Sequence, residues 1–275
     1  MKTTAWILVG ALAVFPAIAT SATAATTITV YAAGSLTGAL ADIAKQYTAA
    51  TGEPVRIVNG PAGLLRERIE KGEPADVYIS ANMAHPEKLA AEGKATSPVV
   101  FARNALCVQT LPDAGITSAN LLDRLLAPGM RIGTSTPGAD PGGDYAWKFF
   151  ARAETVHPGA RANLEAKAKK LVGGPVAPTI PGNVGAAKYF LQHHDVDVFF
   201  GYCSSHDATP DPDLARVEVP ANLSLPVDYG MSVVLRGGDP AQRAAAYRFA
   251  LYAMSPGAQE RLPVYGFRAV AAPEH

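Results

Sequence analysis

Between Ile28 and Ser80 short apolar runs alternate with segments of helical periodicity, and this alternation limits the folds open to the chain. Ile28–Ala33 (I-T-V-Y-A-A) is a mostly apolar run of strand length. Leu36–Thr51 sets Leu36, Leu40, Ile43, Ala44 and Tyr47 on one helical face, and Gly52-Glu53-Pro54 stops it. Val55–Val58 is the next strand, Ala62–Lys71 a second helix with Leu64, Leu65 and Ile69 inward, and Ala75–Ser80 a third buried strand. Such a β-α-β-α-β series calls for a parallel sheet with helices on both faces, since each crossover must pack back on the sheet.

The pattern continues with helix Pro86–Glu92 and strand Asn104–Gln109, and then a second α/β set begins. Met130–Ser135 reads as a strand, Asp144–Arg152 as a helix after a Pro-Gly-Gly turn, Val184–His193 as a helix, and Val196–Tyr202 as a strand. Leu225–Leu235 is a further strand and Pro240–Met254 a helix before the short tail. No repeat of solenoid period and no long polar linker separates the sets, so two lobes crossed by the chain more than once are expected.

Met1–Ala25 has the form of a secretory leader: Lys2, an apolar stretch Trp6–Phe15, and Ala22-Thr23-Ala24 as cleavage site. That stretch is too short to span a bilayer. Export to the periplasm as a soluble monomer is the expectation. Lys+Arg 24 balances Asp+Glu 24, which leaves no basic field for nucleic acid and no polybasic patch for lipid. The two cysteines, Cys107 and Cys203, are either one disulfide or two buried thiols, because sequence does not give their separation.

Four places put small residues or a hydroxyl where a strand or loop meets a helix: Gly34-Ser35, Gly60-Pro61-Ala62-Gly63, Pro141-Gly142-Gly143 and Pro181-Gly182-Asn183-Val184. Helix entrances point free N–H groups and a positive dipole end toward the carboxyl edge of an α/β sheet. If the four converge, they bind an anion without any lysine or arginine.

The words V-Y-A-A-G-S-L-T-G-A-L from Val30, G-E-P-A-D-V-Y-I-S-A-N from Gly72, P-G-G-D-Y-A from Pro141 and Y-G-F at Tyr265–Phe267 resemble the periplasmic substrate-binding proteins of molybdate ABC importers over nearly the whole mature chain. The resemblance implies a type II periplasmic binding protein fold: two α/β lobes, each a mostly parallel sheet flanked by helices, with the ligand in the cleft between them. It also implies a leader at 1–25, a first lobe at 26–106 completed by 228–275, and a second lobe at 107–227. The implied ligand is molybdate or tungstate, held by neutral hydrogen bonds with no cationic residue and no cofactor. The implied partner is a membrane permease. Carried over by position, the ligand-binding residues are Ser35, Ala62, Gly142, Val184 and Tyr202. At the second junction the family's serine is replaced by Ala62, which keeps an N–H and lacks the hydroxyl. The same fold with another oxyanion or a small organic anion is therefore a second reading.

Other groups have plainer readings. His193-His194-Asp195 is a helix end and not a metal pair, and Cys203, His206 and Asp207 are too few for a closed metal site. Asp140 and Asp144 read as helix caps, and in an anion cleft they would repel the ligand. Tyr145, Trp147, Phe149 and Phe150 read as core, and Tyr229 as a buried strand residue. A serine hydrolase using Ser35 would need an oriented base, and A-G-S-L-T lacks the G-x-S-x-G elbow.

Overall fold

The computed structural model describes residues 26–271 apart from positions 176, 182, 183, 206 and 238. The leader Met1–Ala25, the Gly182-Asn183 half of the fourth junction, and His206 lie outside the described residues. The strands are β1 (Ile28–Ala33), β2 (Val55–Gly60), β3 (Val77–Ser80), β4 (Val99–Asn104), β5 (Leu106–Thr110), β6 (Ile132–Ser135), β7 (Ala168–Val172), β8 (Val198–Tyr202), β9 (Ala215–Glu218) and β10 (Val227–Val233). The helices are α1 (Thr37–Thr51), α2 (Ala62–Glu70), α3 (Ala84–Ala91), α4 (Leu121–Leu126), α5 (Pro141–Glu154), α6 (Ala160–Lys167), α7 (Ala186–Gln192), α8 (Pro240–Ala253) and α9 (Pro256–Gln259).

The strands form two five-stranded sheets with the same plan, β2-β1-β3-β10-β4 and β7-β6-β8-β5-β9. In each, three strands run parallel as the sequence pattern demands, and two antiparallel pairings complete the sheet: β10 with β3 and β4, and β5 with β8 and β9. The sheets are thus mixed. The antiparallel strands belong to the crossings, where the chain leaves one sheet and enters the other. The first crossing is a single residue, Ala105, so the stretch expected as one strand around Asn104–Gln109 is two strands in different sheets.

The first sheet carries a core of Ile28, Val30, Val77 and Ile79 beneath α1 and α8, where Tyr47 meets Phe249 edge to face at 5.3 Å. The second is filled by Phe149 and Phe150 of α5 against Phe200 of β8, at 5.1 and 5.4 Å between ring centres. The expected aromatic core is therefore present, with Trp147 only partly buried beside it. Cys107 of β5 and Cys203, just past β8, form a disulfide. The Pro-Gly-Gly expected as a turn is the first turn of α5, with Pro at its start and Asp140 as its cap.

Candidate functional site

Ser35, Ala62, Gly142, Val184 and Tyr202 all line one cleft of about 510 Å³. It lies at the carboxyl ends of β1, β2, β6 and β8, with walls from both sheets. That is where open α/β sheets place ligands.

Ser35 sits in the short turn Gly34–Leu36 between β1 and α1. Its Oγ lies 2.8 Å from the Tyr229 hydroxyl on β10. Asn104 fixes the direction of the proton in that contact. Its Oδ1 accepts the Ala105 N–H at 2.8 Å, so its Nδ2 is the donor, reaching the Tyr229 hydroxyl at 3.3 Å and Ser204 Oγ at 2.9 Å. Tyr229 accepts from Asn104 and donates to Ser35, which leaves the Ser35 proton to point into the cleft. Tyr229 is fully buried as expected of a strand residue, yet its phenol serves the site. Sequence gave no sign of this relay, whose members lie 125 and 194 residues apart.

Ala62 is the first residue of α2, after Pro61, and is 1% exposed. Its carbonyl accepts the Tyr78 hydroxyl at 2.6 Å, and as a first-turn residue its N–H has no partner in the helix. Next to it the two lobes touch. The Leu64 N–H donates to the Ala139 carbonyl at 3.3 Å, and a Cβ on Gly63 would lie 2.2 Å from the Gly138 carbonyl oxygen. Asn82 Nδ2 reaches Asp144 Oδ2 across the same seam at 3.3 Å. These contacts describe closed lobes.

Gly142, on the other wall, has its N–H engaged: it donates to Asp140 Oδ1 at 2.9 Å, the cap of α5. Asp140 is a cap as expected, and it also lines the cleft. Desolvation lifts its carboxyl from the usual value of 3.8 to about 6, with Asp144 adding like-charge repulsion and hydrogen bonding from Gly142 and Ser135 pulling the other way. Burial likewise raises Asp144, which accepts the Gly138 N–H at 2.8 Å. The raised Asp140 bears on stability with a definite sign. Between pH 3.8 and 6 the folded chain holds a proton that the unfolded chain releases, so the contribution of Asp140 is most favourable below that window and is lost as pH rises through it. Asp140→Asn keeps a capping oxygen and removes the charge, so it is expected to raise stability at pH 7.5 by roughly 1–2 kcal/mol, with the gain fading toward pH 4. Urea unfolding at both pH values measures it. Equal midpoints throughout would mean the carboxylate is well solvated.

Val184 is 44% exposed and precedes α7, whose first residue is Ala186. Tyr202 ends β8 beside Tyr145 and Tyr229, at 6.3 and 5.8 Å between ring centres. Its hydroxyl is buried and, among the described residues, has no hydrogen-bond partner. Desolvation holds the phenol well above its ordinary pKa, so it stays a neutral donor. A buried hydroxyl left without a partner is costly, and a ligand oxygen would satisfy it.

Two cations also line the cleft, contrary to the all-neutral site the resemblance implied. Lys188 of α7 is paired with Asp211 and Asp213 at 2.9 and 2.7 Å. Arg216 of β9 donates to Ser205 Oγ at 2.9 Å, and its Nε is buried without a partner among the described residues. Cys203 is committed to its disulfide, and no group of three potential metal ligands occurs among the described residues. His193 is exposed at the end of α7, as expected.

A cleft of neutral donors at strand ends, between lobes that touch across a seam, defines a solute-binding receptor. Residues 28–268 match the family model of the bacterial extracellular solute-binding proteins, and the chain belongs to that family. It is 38% identical over 181 residues to an uncharacterised protein of Pasteurella multocida, covering 65% of this chain and 75% of that one. It is 26% identical over 252 residues to the molybdate-binding protein ModA of Haemophilus influenzae, covering 88% and 90%. Among solved structures, the sulfate-binding protein SubI of Mycobacterium tuberculosis shares the fold with a TM-score of 0.71 at 17% identity, over 89% of this chain and 87% of that one. The chain is thus a solute-binding protein of the ABC-transporter type, similar to molybdate receptors.

Proposed function

We propose that this protein is an exported receptor that captures a tetrahedral oxyanion, molybdate or tungstate, between its lobes and delivers it to a membrane permease. The observation that carries this reading is the pairing of two preset donors in one cleft. The relay from Asn104 through Tyr229 aims the Ser35 proton inward, and the Tyr202 hydroxyl is buried with nothing else to bond. The free N–H of Ala62 at the start of α2 adds a third neutral donor from the first lobe. Charge-assisted bonds from such donors contribute roughly 1.5–3 kcal/mol each, enough together for a tight oxyanion site. Closure over the ligand gives the permease a distinct face to recognise.

A second reading, a different oxyanion or a small organic anion, is favoured by the missing hydroxyl at Ala62 and by Arg216 on the cleft wall. Thermal unfolding with molybdate, tungstate, sulfate, phosphate and small organic acids separates the two. A ligand at a hundred times its Kd stabilises the folded state by about 2.7 kcal/mol, which raises the melting temperature by several degrees. No response to molybdate or tungstate, with a response to an organic acid, would replace the first reading by the second.

Tyr202→Phe is expected to weaken oxyanion binding by about ten- to a hundredfold, the value of one hydrogen bond to a charged group. It should leave the unliganded protein as stable or slightly more so, because the hydroxyl it removes is unsatisfied. Calorimetric titration beside a melting curve reads both, and unchanged affinity would take Tyr202 out of the site.

A further inference from the structure

We propose that Asp140 takes part in the site as the neutral acid and donates its proton to the bound anion, so that capture of a fully deprotonated oxyanion takes up one proton from solution. The inference rests on the oxyanion reading and goes beyond it by naming a group that turns binding into a proton-linked event.

A carboxylate on the wall of an anion cleft has to be neutralised, and the structure offers no cation to do it. No ion pair reaches Asp140 among the described residues. The two cations of the cleft are engaged elsewhere, Lys188 with Asp211 and Asp213 and Arg216 with Ser205. The groups that do face Asp140 are neutral or acidic. Ser135 of β6 and the Gly142 N–H bond to it, and Asp144 lies one turn further along α5. The phenols of Tyr202 on β8 and Tyr229 on β10 stand close enough to feel its charge. The nearest arginine and lysine, Arg66 of α2 and Lys148 of α5, act on Asp144. Opposite lies uncharged chain: a Cβ on Gly173 would lie 3.3 Å from Asp140 Cβ and 3.4 Å from Pro61 Cβ, so the first lobe closes on this side with no charge to offer.

Two negative groups in a closed, dry cavity cannot both remain ionised. A carboxyl already raised to about 6 by burial is pushed further when an anion enters, and it takes its proton from water. With Oδ1 held by Gly142, the acid hydroxyl is then free to donate to an anion oxygen. No heavy-atom bond forms or breaks, and every contact in this reading goes to the oxygens of the anion.

The test is calorimetric titration with molybdate, and separately with sulfate, at pH 6.5 to 8.5 in buffers of different ionisation heat. Both anions are fully deprotonated over this range, so the buffer dependence counts protons taken up by the protein. We expect close to one proton per anion at pH 8 and an affinity that falls nearly tenfold per pH unit above 7. Asp140→Asn should take up none, show a flat profile, and bind at least tenfold tighter than wild type at pH 8. Asp144→Asn should keep the slope. Binding by wild type with a flat profile and no proton uptake would overturn the proton linkage and leave the oxyanion reading standing. A slope abolished by Asp144→Asn and kept by Asp140→Asn would also overturn the assignment. Failure of both anions to bind wild type at any pH would withdraw the oxyanion reading and the linkage with it. The wild-type proton count stands alone should Asp140→Asn fold poorly.

Discussion

Replacing Cys107 and Cys203 together by serine is expected to cost about 3–5 kcal/mol of stability and to lower the melting temperature by roughly 10 °C. The two residues are 96 positions apart in sequence, and the bond ties the first strand of the second sheet to the end of β8. In the unfolded chain the bond closes a loop that holds β6, α5, α6, β7 and α7, and a loop of about a hundred residues loses about 4.7 kcal/mol of conformational freedom in the chain-entropy account. The folded geometry around it is independently held. Cys107 faces Gly201 in register, and the Cys203 N–H donates to the Ala105 carbonyl at 3.0 Å, so the serine pair should fold to the same structure. Guanidinium unfolding of wild type, reduced wild type and the double variant measures the effect. A difference under about 1 kcal/mol would mean that the reduced denatured chain is already compact in this region.

The second large effect is expected at Gly63, and it should fall on binding and spare the fold. Alanine is the better helix residue by about 1 kcal/mol, so Gly63→Ala should leave the unliganded protein equally stable or more so. Closed lobes cannot accept the methyl group. It would stand 2.2 Å from the Gly138 oxygen and 2.7 Å from the Ala139 oxygen, both backbone atoms. These cannot easily yield, since the Gly138 N–H is bound to Asp144 and the Asp140 N–H to the Thr136 carbonyl. The lobes must stay apart by an ångström or more, which forfeits the Leu64–Ala139 and Asn82–Asp144 bonds and leaves the ligand wet. Affinity should fall by two to three powers of ten, about 3–4 kcal/mol. Small-angle scattering should show that ligand no longer compacts the variant. Wild-type affinity in Gly63→Ala would mean that the ligand-bound state closes along a different seam.

The local half of the fold was legible in the chain. Ile28–Ala33 is a strand with the expected bounds, and the face of α1 that is buried is the one its spacing marks. What escaped was set by distance. Val99–Asn104 and Leu106–Thr110 read as a single apolar stretch, because nothing local says that Ala105 carries the chain from one sheet to the other. The run from Ala160 to Val172 is too polar and alanine-rich to betray a strand, and β7 exists only because β6 offers it an edge. The helix α4 and the strand β9 are short and escaped in the same way. The candidate site divides likewise. Ser35, Ala62, Gly142, Val184 and Tyr202 could be marked because each sits in a distinctive local word, and the structure brings them to one cleft. Asn104, Ser204 and Arg216 had no such word, since their roles come from partners in other elements. Asp140 was legible as a cap and not as part of the cleft wall, because the same spacing serves both.

The position of Asn104 bears on how a solute first meets the protein. It ends β4 one residue before the chain crosses, and its amide holds Tyr229 on one side and Ser204 on the other. A pivot moves least when the parts around it turn. The hydroxyl of Ser35, aimed through that pivot, therefore keeps its bearing whether the jaws are apart or together. An arriving anion would find one donor already oriented on an open face, and the other wall would come to it afterwards. Capture in this order makes the encounter rate a property of the first lobe and the residence time a property of the seam.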